Sequence, residues 1–264
     1  MFLAALSLGG CAHYRTPGPA ADFRALGITP AEVEASTDAS IARKLDLKPL
    51  ASFPATIAAI RVQGAHYRSY STSGYGRGEF TVITVRDVET DEQFNRIASL
   101  PMVRGLAPVN RFVISDDISS ERQLRDAAAT VHADLTLLYT FETQFGDEKL
   151  IPALGLLTLG LFPDREARVR TTASAALLDT RNGYVYGLAE STVKTEQLAN
   201  AWTSEQAIDQ SRRRAETKAF DQLVGEVEKM WMGVLAQYGP NASPTAHSLP
   251  RQDAPAEPIS AGVR

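Results

Sequence analysis

The chain has 264 residues, 44% hydrophobic and 22% charged, with a formal net charge of −4. That length and apolar fraction suit one large globular domain or two small ones. Lysines and arginines are interleaved with acids, which argues against a nucleic-acid partner. The single cysteine, Cys11, excludes an intramolecular disulfide and a cysteine-based metal cluster.

Phe2 to Leu8 form a short apolar run that leads into Gly9, Gly10 and Cys11. An apolar stretch followed by a small-residue site is the pattern of a secretory signal peptide, here 1–10. Leu8-Gly9-Gly10-Cys11 resembles the bacterial lipobox, an aliphatic residue and two small ones before the cysteine. The resemblance implies that the Cys11 thiol takes a diacylglycerol (palmitate-type chains), that the bond before it is cut, and that the new amino terminus is acylated. Each buried methylene contributes about 0.8 kcal/mol to membrane attachment. No lysine or arginine precedes Cys11, so the basic n-region is expected upstream. Ala12 stands where an aspartate would mark inner-membrane retention, which points to the outer membrane, facing the periplasm. No segment is long and apolar enough to span a bilayer as a helix.

Residues 11–22, with Pro17, Gly18 and Pro19, are expected to be a flexible tether. Residues 23–239 are read as a single domain. Thr29-Pro30-Ala31-Glu32 is an N-cap with proline at the first helical position, opening a helix to about Lys44. Thr56–Val62 and Phe80–Val85 are strands, separated by a loop rich in glycine, serine and tyrosine. A short helix is expected over Asp91–Leu100, a third strand over Val109–Ile114, a helix over Ser120–Val131, and a strongly apolar strand over Asp134–Phe145. Alternation then flanks Asp179-Thr180-Arg181-Asn182-Gly183, and Asn-Gly supplies the positive φ of a tight turn, so residues 167–194 are a β-hairpin. The last element is a long helix, 203–238. It opens on the capping-box spacing of Thr203 and Gln206, and Gly239-Pro240 stops it. Its apolar residues, Ile208 to Val234, lie near one face and Arg212, Arg213 and Arg214 toward the other. Residues 240–264, rich in proline and small polar residues, read as a disordered tail. No internal repeat is visible.

The fold class expected is α/β, an α+β sandwich. Its mixed sheet has about five to six strands, and its core lies between one sheet face and the helices near 91–100, 120–131 and 203–238.

Chemistry-bearing patterns are sparse. His13, His66, His132 and His247 have no metal-ligand spacing, so no metal is expected. No G-x-S-x-G elbow occurs. Asp116-Asp117 precedes a helix, where aspartate serves as a cap. Gly74-Tyr75-Gly76-Arg77-Gly78 leads into a strand, not a helix, which excludes a phosphate-binding turn and a nucleotide. No cofactor is expected. The loop from His66 to Arg77 carries residue types favoured at recognition surfaces, and Tyr67, Arg68, Tyr70, Tyr75 and Arg77 are its candidate contacts. A second candidate surface is the apolar run from Leu150 to Phe162, with Leu157, Leu159, Leu161 and Phe162 foremost. It contacts lipid or another protein, or packs under its own hairpin. Trp202 is expected to staple the start of the last helix.

Leu157–Pro163, Ala173–Gly187 and Ala199–Thr203 resemble the rhombotarget lipoproteins, bacterial envelope proteins without an assigned activity; the likeness runs from about Leu50 to Gly239. That name implies a link to rhombosortase, a rhomboid-like intramembrane protease. Its substrates end in a glycine pair, a hydrophobic helix and basic residues, whereas this chain ends Ile259-Ser260-Ala261-Gly262-Val263-Arg264. The family offers no catalytic residues to carry over. More distantly the element order is similar to periplasmic α/β domains in the amino-terminal part of TolB, the curli secretion lipoprotein and lipoprotein activators of penicillin-binding proteins. The function expected is a non-enzymatic, lipid-anchored module that binds another envelope protein or helps assemble a complex. An enzyme or accessory subunit acting on cell-wall or surface polymers is the alternative.

Overall fold

Apolar side chains recurring at every second position build both faces of one sheet. The computed structural model describes residues 19–21, 38–149, 165–198, 205–240 and 242. The strands are β1 (Ala55–Gly64), β2 (Phe80–Ile83), β3 (Val103–Ala107), β4 (Leu135–Lys149), β5 (Arg165–Asp179) and β6 (Val185–Leu198), and the helices are α1 (Asp38–Asp46), α2 (Asp91–Ala98), α3 (Glu121–Thr130) and α4 (Glu205–Tyr238). The six-stranded mixed sheet runs β2-β1-β4-β5-β6, with β3 also against β1. One edge of β1 is divided: Ala55–Ala58 pair in parallel with β3, and Arg61–Gly64 pair antiparallel with β2. Its other edge runs parallel to Leu135–Leu138 of β4. The fold is therefore α/β with a mixed sheet and a long last helix.

The helices lie on opposite faces, which differs from a core expected on one face only. Ile57, Leu137, Tyr139, Phe141, Ala173 and Leu177 pack against Phe94 and Ile97 of α2 and Phe220, Leu223, Val227 and Trp231 of α4. The residues between them in sequence, Ile60, Val62, Leu138 and Leu178, pack against Leu124 and Ala127 of α3 and against Ile114 and Ile118. Period-two alternation sends these two sets to opposite sides. Beyond Leu138 and Ala176 the second face turns polar: Glu142, Thr172, Ser174, Glu190 and Thr192 point outward, and Thr172 and Thr192 share a hydrogen bond at 2.9 Å. A sheet covered on one side and wet on the other reads this way in antiparallel strands.

Local chemistry sets the helix starts. Thr90 caps α2 through a capping box: Gln93 N–H donates to Thr90 Oγ1 (3.3 Å) and Thr90 N–H to Gln93 Oε1 (2.9 Å). The Ser120 N–H likewise donates to Gln123 Oε1 at the start of α3. The strand expected over Val109–Ile114 is not there. Phe112 N–H donates to Asn110 Oδ1 (3.0 Å), an Asx turn that curls the chain. The pairing partner of β1 lies earlier, at Val103–Ala107, while Ile114 plugs the second core. β2 also ends early, at Ile83. The first part of the helix expected up to Lys44, the Thr203 cap and Trp202 lie outside the described residues.

The hairpin of β5 and β6 is present, with longer strands than alternation marked, and a wider turn. Thr180 to Tyr184 connect the strands, Gly183 supplies positive φ (77°), and Asn182 works through its side chain, donating to the Lys48 carbonyl (2.8 Å) and accepting from Tyr184 N–H (3.0 Å). Gly74 to Gly78 also has a steric reason. A Cβ on Gly78 would meet the Ile118 carbonyl oxygen at 2.3 Å, and the backbones touch here because Phe80 N–H donates to that oxygen (3.0 Å).

Pro19–Ala21 are laid into the gap where β1 and β4 part. Gly64 N–H donates to the Pro19 carbonyl and Ala21 N–H to Thr140 Oγ1, both at 2.9 Å, and Ala21 joins the α3-side core. Pro19–Ala21 thus sit beside Thr140, Glu142, Thr172 and Ser174, at the polar, uncovered face of the sheet.

Candidate functional site

The highest concentration of polar groups in the described residues is inside the domain, under the first half of α4. Arg61 is on the face of β1 that looks at α4, beside Tyr139, Phe141 and Thr143 of β4. Asp87 and Glu89 come from the connection between β2 and α2, Tyr67, Ser69 and Ser71 from the loop after β1, and Asp209, Arg212 and Glu216 from α4. Both guanidiniums are fully buried, Arg61 at 2% and Arg212 at 0% exposure.

Arg61 donates to Asp87 Oδ1 (2.8 Å), Glu89 Oε1 (3.4 Å), Glu216 Oε2 (3.3 Å) and Tyr67 Oη (3.3 Å), and lies 4.7 Å from the Phe141 ring centroid. Arg212 donates to Asp209 Oδ1 (3.0 Å), Asp87 Oδ2 (2.9 Å), Ser71 Oγ (3.2 Å) and Glu216 Oε2. The carboxylates have hydroxyl partners too. Tyr139 Oη donates to Glu89 Oε1 (3.0 Å) and Thr143 Oγ1 to Glu216 Oε1 (3.0 Å). Two cations therefore share four carboxylates. Burying a charge without such partners is prohibitive, which explains why the groups occur together.

Their protonation behaviour is not uniform. Burial pushes Glu216 above the usual carboxylate range, more than Arg212 and Arg61 pull it down. Burial would raise Asp87 as well, but the guanidiniums of Arg61 and Arg212 hold it below its ordinary value. Burial and Glu216 raise the Tyr67 hydroxyl to about 12, and burial with Glu89 sends Tyr139 well above the ordinary phenol value. The pH consequences have opposite signs. Asp87 contributes stability that is present above about pH 4, its unfolded value, and is lost as pH falls through the lower folded value. Glu216 adds stability as pH falls through its raised folded value, because the fold takes up that proton before the unfolded chain does. Urea unfolding of the full chain near pH 7 and near pH 4 should show native protein gaining on Glu216→Gln toward the lower pH. Its advantage over Asp87→Asn should narrow below that. Parallel pH curves for all three proteins would exclude this assignment.

Only the rim of the network opens outward. Asp87 lines a groove of about 710 Å³ between α2 and α4, where Arg96, Arg213, Arg214 and Lys218 face Glu92 and Asp221. Much of this charge is already engaged: Arg96 pairs with Glu228 (2.9 Å) and Asp221 (3.0 Å), and Arg213 Nε donates to the Asp87 carbonyl (3.0 Å). Chemically the network is a clamp. It ties the loop after β1 and the β2–α2 connection to α4, and at its rim Ser71 Oγ donates to Asp87 Oδ2 (3.4 Å), a carboxylate that Arg61 and Arg212 already hold. Among the described residues, no group of three or more His, Cys, Asp or Glu is arranged to hold a metal ion.

The loop residues expected to form a contact surface divide between inside and outside. Tyr67 is buried at 2% exposure as an acceptor for Arg61 and Arg212. That removes it from any surface. Tyr70 (61% exposed), Arg68 and Arg77 are at the surface. Tyr75 donates to Asp116 and lies under Arg111, 5.3 Å from its ring centroid, so it braces the loop against the following segment. Cys11, Leu157, Leu159, Leu161 and Phe162 lie outside the described residues. Arg212, expected on the outer face of the last helix with Arg213 and Arg214, is instead at the centre. Arg61 drew no attention as a charge within the apolar run Thr56–Val62, although a lone arginine there signals a buried partner. Asp209, Arg212 and Glu216 show the i, i+3 and i, i+4 spacing of helical ion pairs.

No protein-family model matches the chain, and the comparison with curated proteins finds no match. Among solved structures it is similar to a Caulobacter crescentus protein proposed to be a lipoprotein: 11% identity, a TM-score of 0.24, over 42% of this chain and 80% of that one. Among the described residues no helix is long and apolar enough to cross a membrane.

Proposed function

We propose that this chain is an envelope lipoprotein, acylated at Cys11 and acting beside a membrane as a non-enzymatic binding or assembly module. The observation that carries the reading is the seat of Pro19–Ala21 on the sheet, eight residues after the cysteine of Leu8-Gly9-Gly10-Cys11. Eight residues span at most about 29 Å, so an acylated Cys11 holds the domain close to the bilayer, with its polar sheet face on the tether side. A binding role is favoured over a catalytic one because the carboxylates of the network are engaged by guanidiniums or hydroxyls, and of the four only Asp87 reaches the groove. Arg68, Tyr70 and Arg77 are the exposed contacts assigned to the partner. Membership of the rhombotarget lipoproteins, a signal peptide over 1–10 and an outer-membrane position facing the periplasm belong to the same reading.

The test is direct. Expressed in a lipoprotein-processing bacterium, the full chain should incorporate radioactive palmitate and sediment with membranes, and Cys11→Ser should lose the label and become soluble. A native protein that is unlabelled, soluble and still carries a titratable thiol would overturn the proposal.

A further inference from the structure

β6 is the last strand of the sheet, and among the described residues nothing pairs with its outer edge. It is 14 residues long. An open edge of that length displays a row of backbone donors and acceptors and is a template for another strand. After Val185 at its start, its exposed side chains alternate on the polar face: Leu188, Glu190, Thr192 and Lys194. Edge charges often serve only to repel other strands. Here their order does something else.

We propose that β6 pairs antiparallel with β6 of a second copy, about a two-fold axis through Thr192, to give one continuous sheet. In that register Glu190 of each copy stands opposite Lys194 of the other, and the strands overlap from Gly187 to Gln197, up to the irregularity at Tyr186. Directly opposite, oppositely charged side chains stabilise a strand pair, and like charges destabilise it. Two-fold registers centred on Glu190 or Lys194 set that residue against its own copy, and those centred on Ser191 or Val193 leave Glu190 opposite Thr192 or Glu196, with no lysine across from it. A shift by one residue would turn the second copy over and set polar residues against core residues. Within one copy, Lys194 stands directly opposite Arg170 of β5, an unfavourable pair that Glu190 of the second copy offsets. Glu190 itself is held upright by Ser174 Oγ, which donates to it at 3.1 Å. The two-fold axis is normal to the sheet, so both copies present the face that carries Pro19–Ala21 to the same side. Two acylated tethers could then enter one membrane, a compatibility that rests on the lipoprotein reading; the strand pairing does not.

The full chain carrying Cys11→Ser keeps the two questions separate. It should sediment at twice the 28.6 kDa chain mass. Glu190→Lys should raise the dissociation constant at least about tenfold with an unchanged circular dichroism spectrum. The charge swap Glu190→Lys with Lys194→Glu should restore the dimer. Thr192→Cys, then the sole thiol, should form a disulfide-linked dimer on mild oxidation, because opposite Cβ atoms are about 5 Å apart. Leu188→Cys should not, since its two copies lie about 25 Å apart along the strands. A monomer at all concentrations, a dimer indifferent to Glu190→Lys, a swap that fails to restore it, or equal crosslinking at both cysteines would overturn the proposal.

Discussion

Replacing Arg212 with alanine should lower the free energy of unfolding by about 3–5 kcal/mol, the range seen when one member of a buried ion pair is removed. The reason is what remains behind. Asp209, Asp87 and Glu216 each lose a charged donor; Asp209 and Glu216 are buried, and Asp87 stands at the rim of the groove. Arg61 still serves Asp87 and Glu216, but its nearest contact with Glu216 is 3.3 Å and it does not reach Asp209. Arg212→Lys recovers only part of the loss, since an ammonium cannot reproduce a planar fork that meets Asp209 through Nε and Asp87 and Ser71 through Nη2. The neighbouring exposed changes Arg213→Ala and Arg214→Ala stay within about 0.5 kcal/mol. Urea unfolding followed by circular dichroism measures all four. Equal, small losses for the three arginines would mean that Arg212 is not the hub of a closed network.

The same residues show what the sequence made readable. Asp209, Arg212 and Glu216 have the spacing of helical ion pairs, so a local pairing was visible. The partners that turn it into a buried network are 26, 28 and 155 residues from Arg61, and only the folded sheet brings them together. Tyr67 was misplaced for a related reason: a tyrosine in a loop of serines and glycines has the composition of a surface, and what buries it is a guanidinium from α4. Sheet strands, the hairpin and the stop at Gly239 were legible because their signals are local, in alternation, turn residues and caps. The faces of the sheet were not. An apolar stripe states that α2 and α3 each bury one side, and leaves open which side of the sheet receives them. β3 escaped because Val103–Ala107 contains Arg104 and Gly105 and lacks alternation, while Val109–Ile114 has the better composition and is bent by Asn110.

Asp179 is the second position where one substitution is costly. Its carboxylate is at 0% exposure, at the end of β5. Oδ2 accepts from Leu50 N–H and Ala51 N–H, both at 2.7 Å, and from Tyr186 Oη at 3.1 Å, while Oδ1 accepts from Arg181 N–H at 2.9 Å. One side chain thus fastens the segment before β1, the hairpin turn and the start of β6. Asp179→Ala should cost about 3–5 kcal/mol, because buried donors lose a charged acceptor and each such loss is worth about 1–3 kcal/mol. Asp179→Asn is the sharper comparison. It keeps shape and volume, yet its amide must point two hydrogens either at the three donors around Oδ2 or at the Arg181 N–H. It should recover less than half of the loss. If Asp179→Asn unfolds at the same urea concentration as the native chain, acceptor capacity is not what Asp179 supplies; the hairpin would then hold itself through Gly183 and Asn182 alone.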